Sequence, residues 1–283
     1  MEKLQLNFNE IDENKILKEL KENKVAKDLI DRLNLKDEVI IQSYDLILNY
    51  IRESSFCDSS CTSKDTCIKK SKMYRYDLYV DENNNLQERM IICPYYKDYY
   101  KRKKNLIYTT FDEDVILDDK SKDFIIDNIN IFGNVKKLTN ILTHNKETNG
   151  IYFQLKDSVT RLNLVKSLAY RLLGNEEVAI VKFQDMLMDI KEEFKLVSDD
   201  KIIDKVNRVS ILIIDGIGHE SITNWSRDEI LYSLLDNRIQ NKKTTILCSE
   251  YTIDELKSAY RIKGNQDALK VEKLIDKIKE IDK

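Results

Sequence analysis

The stretch Gly150–Gly174, GIYFQLKDSVTRLNLVKSLAYRLLG, decides how this chain folds. An apolar run, Ile151 to Leu155, leads into a short polar turn, and an amphipathic helix begins near Leu162. Strand, loop and helix in that order are the layout of a phosphate-binding loop. The loop, LKDSVTRL, has no glycine. Glycines are what let such a loop take unusual φ/ψ angles and bring its N–H groups onto phosphates.

The rhythm set there continues to the C-terminus. The apolar runs VAIVKF, VSILIID and TTILC alternate with amphipathic stretches. These read as helices ending at Leu173, from Gln184 to about Lys195, from Arg227 to Gln240, and from Asp254. Continuous Val- and Ile-rich runs mark strands buried on both faces of a parallel sheet. A doubly wound α/β domain follows. The tail NQDALKVEKLIDKIKEIDK adds one more amphipathic helix.

The first half reads differently. Residues 13–52 have helical periodicity, interrupted at NLKDE. YRYDLYV and LQERMIICPYY form a hairpin around Asp81–Asn85. Residues 112–122 look like a linker, and Asp123–Leu142 like a helix ending at the polar turn HNKETNG. The expected organisation is a helical, cysteine-rich domain over 1–110, a linker over 111–125 and an α/β domain over 126–283.

The bulk composition agrees with a folded, helix-rich chain. Of 283 residues, 42% are hydrophobic and 34% charged, with one proline and six glycines. A net charge of −3 argues against a general polyanion-binding surface. No run of roughly 18 apolar residues is present and the start lacks an apolar core, so a cytoplasmic protein without a membrane partner is expected. Cysteines there stay reduced.

Four of the five cysteines cluster. Cys57, Cys61, Cys67 and Cys93 form C-x3-C-x5-C-x25-C. Four thiolates can close a tetrahedral zinc shell, and metal binding can supply on the order of 10 kcal/mol of folding free energy to a module too small for a large core. The bland alternative is four thiols, some buried as small hydrophobes. His144 and His219 are distant in sequence, and Cys248 reads as core. Lys101, Arg102, Lys103 and Lys104, flanked by Tyr99, Tyr100 and Tyr108, combine charge with stacking faces as single-stranded DNA binders do; a solvated loop is the alternative.

ILIIDGIGHE, Ile211–Glu220, is an apolar strand ending in an acid. A carboxylate there can hold Mg²⁺ through water, and a second acid can orient an attacking water. Asp215 suits the first role. Gly216 stands where the second acid is common, and Glu220 lies further on.

Beyond that point SITNWSRDEILYSLLDNRIQNKKTTILCSEYTIDEL resembles bacterial replicative-helicase loaders of the DnaI/DnaC type, of the AAA+ class. Trp225, Ser226, Arg227, Asp228 and Leu231 match the family's helix start. Thr245, Ser249, Glu255 and Leu256 match its next strand and helix. Arg238 falls where the family carries an arginine, and is a candidate arginine finger toward a neighbouring subunit. The cysteine module resembles the zinc-binding, helicase-contacting domain of DnaI-type members. The resemblance implies an AAA+-like parallel-sheet P-loop fold, preceded by a helical, zinc-ribbon-like domain.

The resemblance also measures what has changed. The family's G-x-x-G-x-G-K-T falls without a gap on this loop. Its glycine positions are Leu155, Ser158 and Thr160, its lysine Arg161, and its Mg²⁺-binding hydroxyl Leu162. The second acid is Gly216, the sensor asparagine Glu250 and the C-terminal sensor arginine Lys277. Ser158, Thr160, Arg161 and Leu162 thus form a vestigial loop, with Asp215, Glu220 and Arg238 as vestigial catalytic candidates. The expectation is a loader-like protein in primosome assembly that contacts a DnaB-type helicase hexamer, alone or beside an intact loader paralogue, with structural zinc and without bound ATP or Mg²⁺. Two alternatives stand. One is an atypical active ATPase, with Arg161 for the lysine and Glu220 as the acid; the other is a single-stranded DNA-binding accessory module.

Overall fold

The computed structural model describes residues 13–57, 61, 66–68, 73–143, 149–195, 200–262 and 267–283. The polar turn expected at 144–148 and most of the loop carrying Cys61 and Cys67 lie outside those residues. The chain divides into two compact units, Met1–Tyr100 and Lys101–Lys283.

In the first unit the helical stretch breaks into four pieces: α1 (Glu13–Glu22), α2 (Lys24–Leu33), α3 (Asp37–Gln42) and α4 (Tyr44–Ser55). The Asn23 side chain caps α2 by accepting from the Ala26 N–H, and Asn34 ends it in the left-handed region at φ 49°. The strands β1 (Tyr74–Val80) and β2 (Leu86–Ile92) pair antiparallel. Their turn is held by Asp81, whose side chain accepts from the N–H groups of Asn83 and Asn85. Leu20, Leu29, Ile40 and Ile47 from the helices and Leu78 and Leu86 from the hairpin form one core. Inside this unit Asp77 is a buried carboxylate. It accepts from Arg32 at 2.8 Å and from the cross-strand Arg89 at 2.7 Å, tying α2 to both strands.

Helix α5 (Lys97–Asn105) runs through the junction into β3 (Leu106–Thr109), and β3 pairs with a strand of the second unit. The boundary therefore falls at residue 100, not 110. The expected linker is not a linker. It contains α6 (Glu113–Ile116), then comes α7 (Phe124–Asp127), and Ile116, Leu117 and Ile125 are buried. The expected helix 123–142 survives only as α7, a 3-10 turn and α8 (Val135–Leu142). Gly133, at φ +79°, breaks it, and Asn134 caps the new start.

The second unit holds β4 (Gly150–Gln154), α9 (Ser158–Leu172), β5 (Val178–Lys182), α10 (Phe183–Glu193), α11 (Ile202–Arg208) and β6 (Ile211–Asp215). A π-helix over Trp225–Tyr232 continues into α12 (Ser233–Gln240). Then come β7 (Thr244–Ser249), α13 (Ile253–Ala259) and α14 (Asp267–Ile281). The sheet is five-stranded and parallel, in the order β3-β5-β6-β7-β4. Every residue of β6 is buried, as a strand covered on both faces must be. Ala179, Val181, Leu212 and Ile214 pack with α10 to α14 in one core layer. Helix α9 buries Leu164, Val165, Leu168 and Leu172 and touches β5 and β6. This parallel α/β architecture and the helical N-terminal region are those expected from the sequence. No helix among the described residues is long and apolar enough to cross a membrane.

Candidate functional site

In open parallel sheets, ligands bind at the carboxyl ends of the strands. Here that edge carries the loop Leu155–Asp157, the end of β6 at Asp215, and the ends of β5 and β7. A cleft of about 360 Å³ opens there, lined among others by Phe111, Ser158, Arg161, Lys182, Asp215 and His219.

The loop after β4 is short because α9 starts at once. The Leu155 N–H reaches Ser249 O at 2.7 Å, extending the pairing of β4 with β7. Asp157 is then the N-cap: its carboxylate accepts from the Thr160 N–H at 2.7 Å and the Thr160 hydroxyl at 2.5 Å. Those Thr160 bonds hold the Asp157 carboxyl below the usual range. A side-chain carboxylate thus stands at the helix N-terminus, the place that favours an anion. Thr160 spends its hydroxyl on this cap.

Arg161 turns the other way. Its Nε donates to Asp215 Oδ1 at 2.6 Å, and its Nη1 to the Leu155 carbonyl at 3.1 Å. The two side chains are only 11% and 12% exposed. Burial pushes the Asp215 carboxyl up, against the opposing pull of Arg161. The residue in the loop-lysine position and the acid ending β6 are therefore brought together, and they are bonded to each other. Leu162 lines the cleft with no polar atom to offer.

The remaining candidates leave the cleft. The chain turns after β6 through Gly216 (φ +78°) and Gly218 (φ +92°), and a Cβ at Gly218 would lie 2.7 Å from a Leu256 methyl. Glu220 follows, buried, accepting from the Gly218 N–H at 2.7 Å. Its carboxyl is pushed up by burial and faces the buried Tyr260 hydroxyl. It lines the core rather than the cleft, which removes it as a water-orienting acid. Glu250 pairs with His219 Nε2 at 3.2 Å on the rim. Lys277 pairs with Asp236 at 2.9 Å and Glu280 at 3.2 Å.

Arg238 corrects the sequence reading most sharply. Its side chain is fully buried. Nε donates to Thr245 Oγ1 (2.9 Å), Nη1 to the carbonyls of Val206 (2.7 Å) and Val209 (3.1 Å), and Nη2 to those of Ser210 (3.4 Å) and Thr244 (2.6 Å). All five guanidinium N–H donors are matched by acceptors of its own chain. Burial pushes its pKa down to about 9, still charged at neutral pH. A side chain so placed is an internal tie and reaches no neighbouring subunit.

Arg227, also fully buried, donates to Asp228, to Asp267 and to the Tyr260 carbonyl at 2.8 Å, joining the π-helix to α14. The matched residues of the WSRD segment thus hold the scaffold together. Of the basic run, Lys101 donates to Asn175 at 3.2 Å, Arg102 lies over the Tyr170 ring at 3.8 Å and Lys103 pairs with Glu113 at 2.8 Å. Three of the four cations are engaged within the second unit, and Lys104 is exposed.

The cysteines lie around the hairpin. Cys57 follows α4, and Cys93 follows β2, where its N–H reaches Met73 O at 2.9 Å. Cys93 is buried, Cys57, Cys61 and Cys67 are half-buried, and none of the five cysteines is in a disulfide. Among the described residues no three His, Cys, Asp or Glu side chains gather into a metal-holding group.

Sequence reading missed Phe111, Lys182 and Phe183 as cleft residues, although Lys182 and Phe183 end a strand on the ligand-binding edge of a parallel sheet. It missed Asp77 because a lone acid in YRYDLYV reads as an outward strand position.

The fold and the cleft together define a parallel α/β domain in which a strand, a short loop and a helix meet an acid-ended strand at the carboxyl edge of the sheet. Over 252 residues the chain is 25% identical to the replicative helicase loader DnaI of Bacillus subtilis (strain 168), covering 86% of this chain and 80% of that protein. The resemblance to DnaI-type loaders is borne out. A protein from Streptococcus pyogenes serotype M3, solved as a candidate primosome component, shares the fold at a TM-score of 0.50 and 16% identity, covering 65% of this chain and 92% of that one. A crystal structure of DnaI gives a TM-score of 0.47 at 16% identity, over 64% and 93% of the two chains. No protein-family model matches the chain.

Proposed function

We propose that this protein acts in replication initiation and primosome assembly by contact with the replicative DNA helicase, and that its ATP site is inactive. The observation that carries the role is the similarity to a helicase loader along most of both chains. The residues present do not fit Mg²⁺–ATP. The loop has no glycine, Leu162 has no hydroxyl, and Asp157 and Thr160 are bonded to each other. Asp215 is bonded to Arg161, and Glu220 is turned into the core. Losing several transition-state groups at several kcal/mol each leaves no route to turnover. The work left to the domain is to hold a shape and present surfaces.

Zinc belongs to the same proposal. Cys57, Cys61, Cys67 and Cys93 would hold it, and what supports this is the chemistry of the set: four thiols, none in a disulfide, flanking one hairpin. When bound, zinc supplies folding free energy to a small unit and no catalysis.

The test is capture of the organism's own replicative helicase by the purified full chain, with and without Mg²⁺–ATP, beside titration with a fluorescent ATP analogue. A complex indifferent to nucleotide, with no analogue binding at millimolar concentration, is expected. Failure to form the complex would refute the role, and saturable analogue binding would refute the inactive site.

A further inference from the structure

The cleft is filled from within by groups whose charges match those of a phosphate and a divalent metal. Asp157 puts a carboxylate at the N-terminus of α9, the place of an anion. Arg161 puts a cation against Asp215, the place of a metal. The two residues are four apart on one turn of chain, and the Arg161 Nη1 bond to the Leu155 carbonyl closes the loop between them. We infer that Arg161 is a built-in cation. It substitutes permanently for a divalent ion at Asp215 and latches the loop and α9 to the end of β6, so the domain keeps one conformation whether or not nucleotide is present. This rests on the proposal of an inactive ATP site and says how that site is kept shut.

The physical argument turns on Asp215. It is nearly buried at the end of a strand buried on both faces. The charged and titratable groups facing it are Arg161, His219 and Lys182. His219 is engaged with Glu250, and the Lys182 side chain is 52% exposed and leans toward Asp185. Only Arg161 is both close and shielded from water. Removing one partner of a buried ion pair leaves the other uncompensated, which costs far more than the pair contributes on balance. An arginine serves here better than the lysine it replaces, because its planar fork reaches the carboxylate and the Leu155 carbonyl together.

Removing Arg161 should also expose what the latch covers. In R161A the cleft opens onto a bare carboxylate with the Leu155 carbonyl beside it. Two oxygen ligands and water suit a hard divalent cation held weakly. The experiment follows thermal unfolding of the full chain as wild type, R161A, D215N and R161A/D215N, each with and without millimolar magnesium chloride or methylguanidinium. Wild type should not shift with either. R161A should melt lower by on the order of 10 °C and recover part of the loss with magnesium or methylguanidinium. The double variant should melt above R161A and respond to neither, giving a coupling that independent sites would not show. Should R161A not fold, R161K with its shorter reach and compact charge replaces it in the cycle, with a smaller loss expected. Additive single-variant effects, or an R161A protein that neither cation stabilises, would overturn the latch. Loss of helicase capture alongside an intact Arg161–Asp215 coupling would instead sink the functional proposal and leave the latch standing.

Discussion

Replacing Arg238 by alanine should unfold or nearly unfold the sheet-bearing unit. Its guanidinium makes five hydrogen bonds, three of them fully buried, to the last turn of α11, to the residues just after it and to the start of β7. A hydrogen bond contributes about 1 kcal/mol net, and a buried acceptor stripped of its donor costs about 1–3 kcal/mol. Water entering the emptied space offsets part of this. A loss of at least about 4 kcal/mol remains, against a typical domain stability of roughly 5–15 kcal/mol. With a urea slope of about 2 kcal/mol/M for a unit of this size, the midpoint should fall by about 2 M. Trp225 is the chain's single tryptophan, half-buried at the edge of the same core, so its fluorescence reports the transition. R238K, with three donors and a shorter reach, should fall between. An R238A protein with a wild-type midpoint would refute this reasoning and revive a role outside the domain.

Two other expectations follow from the first unit. D77N should destabilise the hairpin, by about 1–3 kcal/mol once the exposure of Arg32 and Arg89 is allowed for. Burial pushes the Asp77 carboxyl up, but the two arginines outweigh it and hold the pKa below the usual range. The stability from this group is therefore complete above the ordinary carboxylate pKa of about 4 and is lost as pH falls through the lower folded value. Melting of wild type and D77N between neutral and acid pH checks this; parallel curves would remove Asp77 from the account. The full chain, purified without chelator, should carry about one zinc per chain, and C93S should lose it together with protection of the hairpin amides from hydrogen exchange. Metal-free protein with an unchanged melting point would exclude the zinc proposal.

The parallel sheet was legible in the sequence for a local reason. A strand covered on both faces must be apolar at every position, so VAIVKF, VSILIID and TTILC announce themselves residue by residue. The absence of glycine from the loop and of a hydroxyl at Leu162 is equally local, because backbone freedom and side-chain chemistry belong to single positions. Asp81 at its turn was of the same kind. The linker was misread because DEDVILDD is mostly acidic, while the few apolar residues inside it, Ile116 and Leu117, are what find α9. Nothing local says which partners a charge will meet. Arg238 read as a surface residue because arginine is seldom buried; five acceptors from two separated segments make the exception. Arg161 and Asp215 are 54 residues apart, and each taken alone suggested a damaged nucleotide site. The crossover of α9 from β4 to β5 over the end of β6 decides that the two meet, and so that the site is closed by the chain itself.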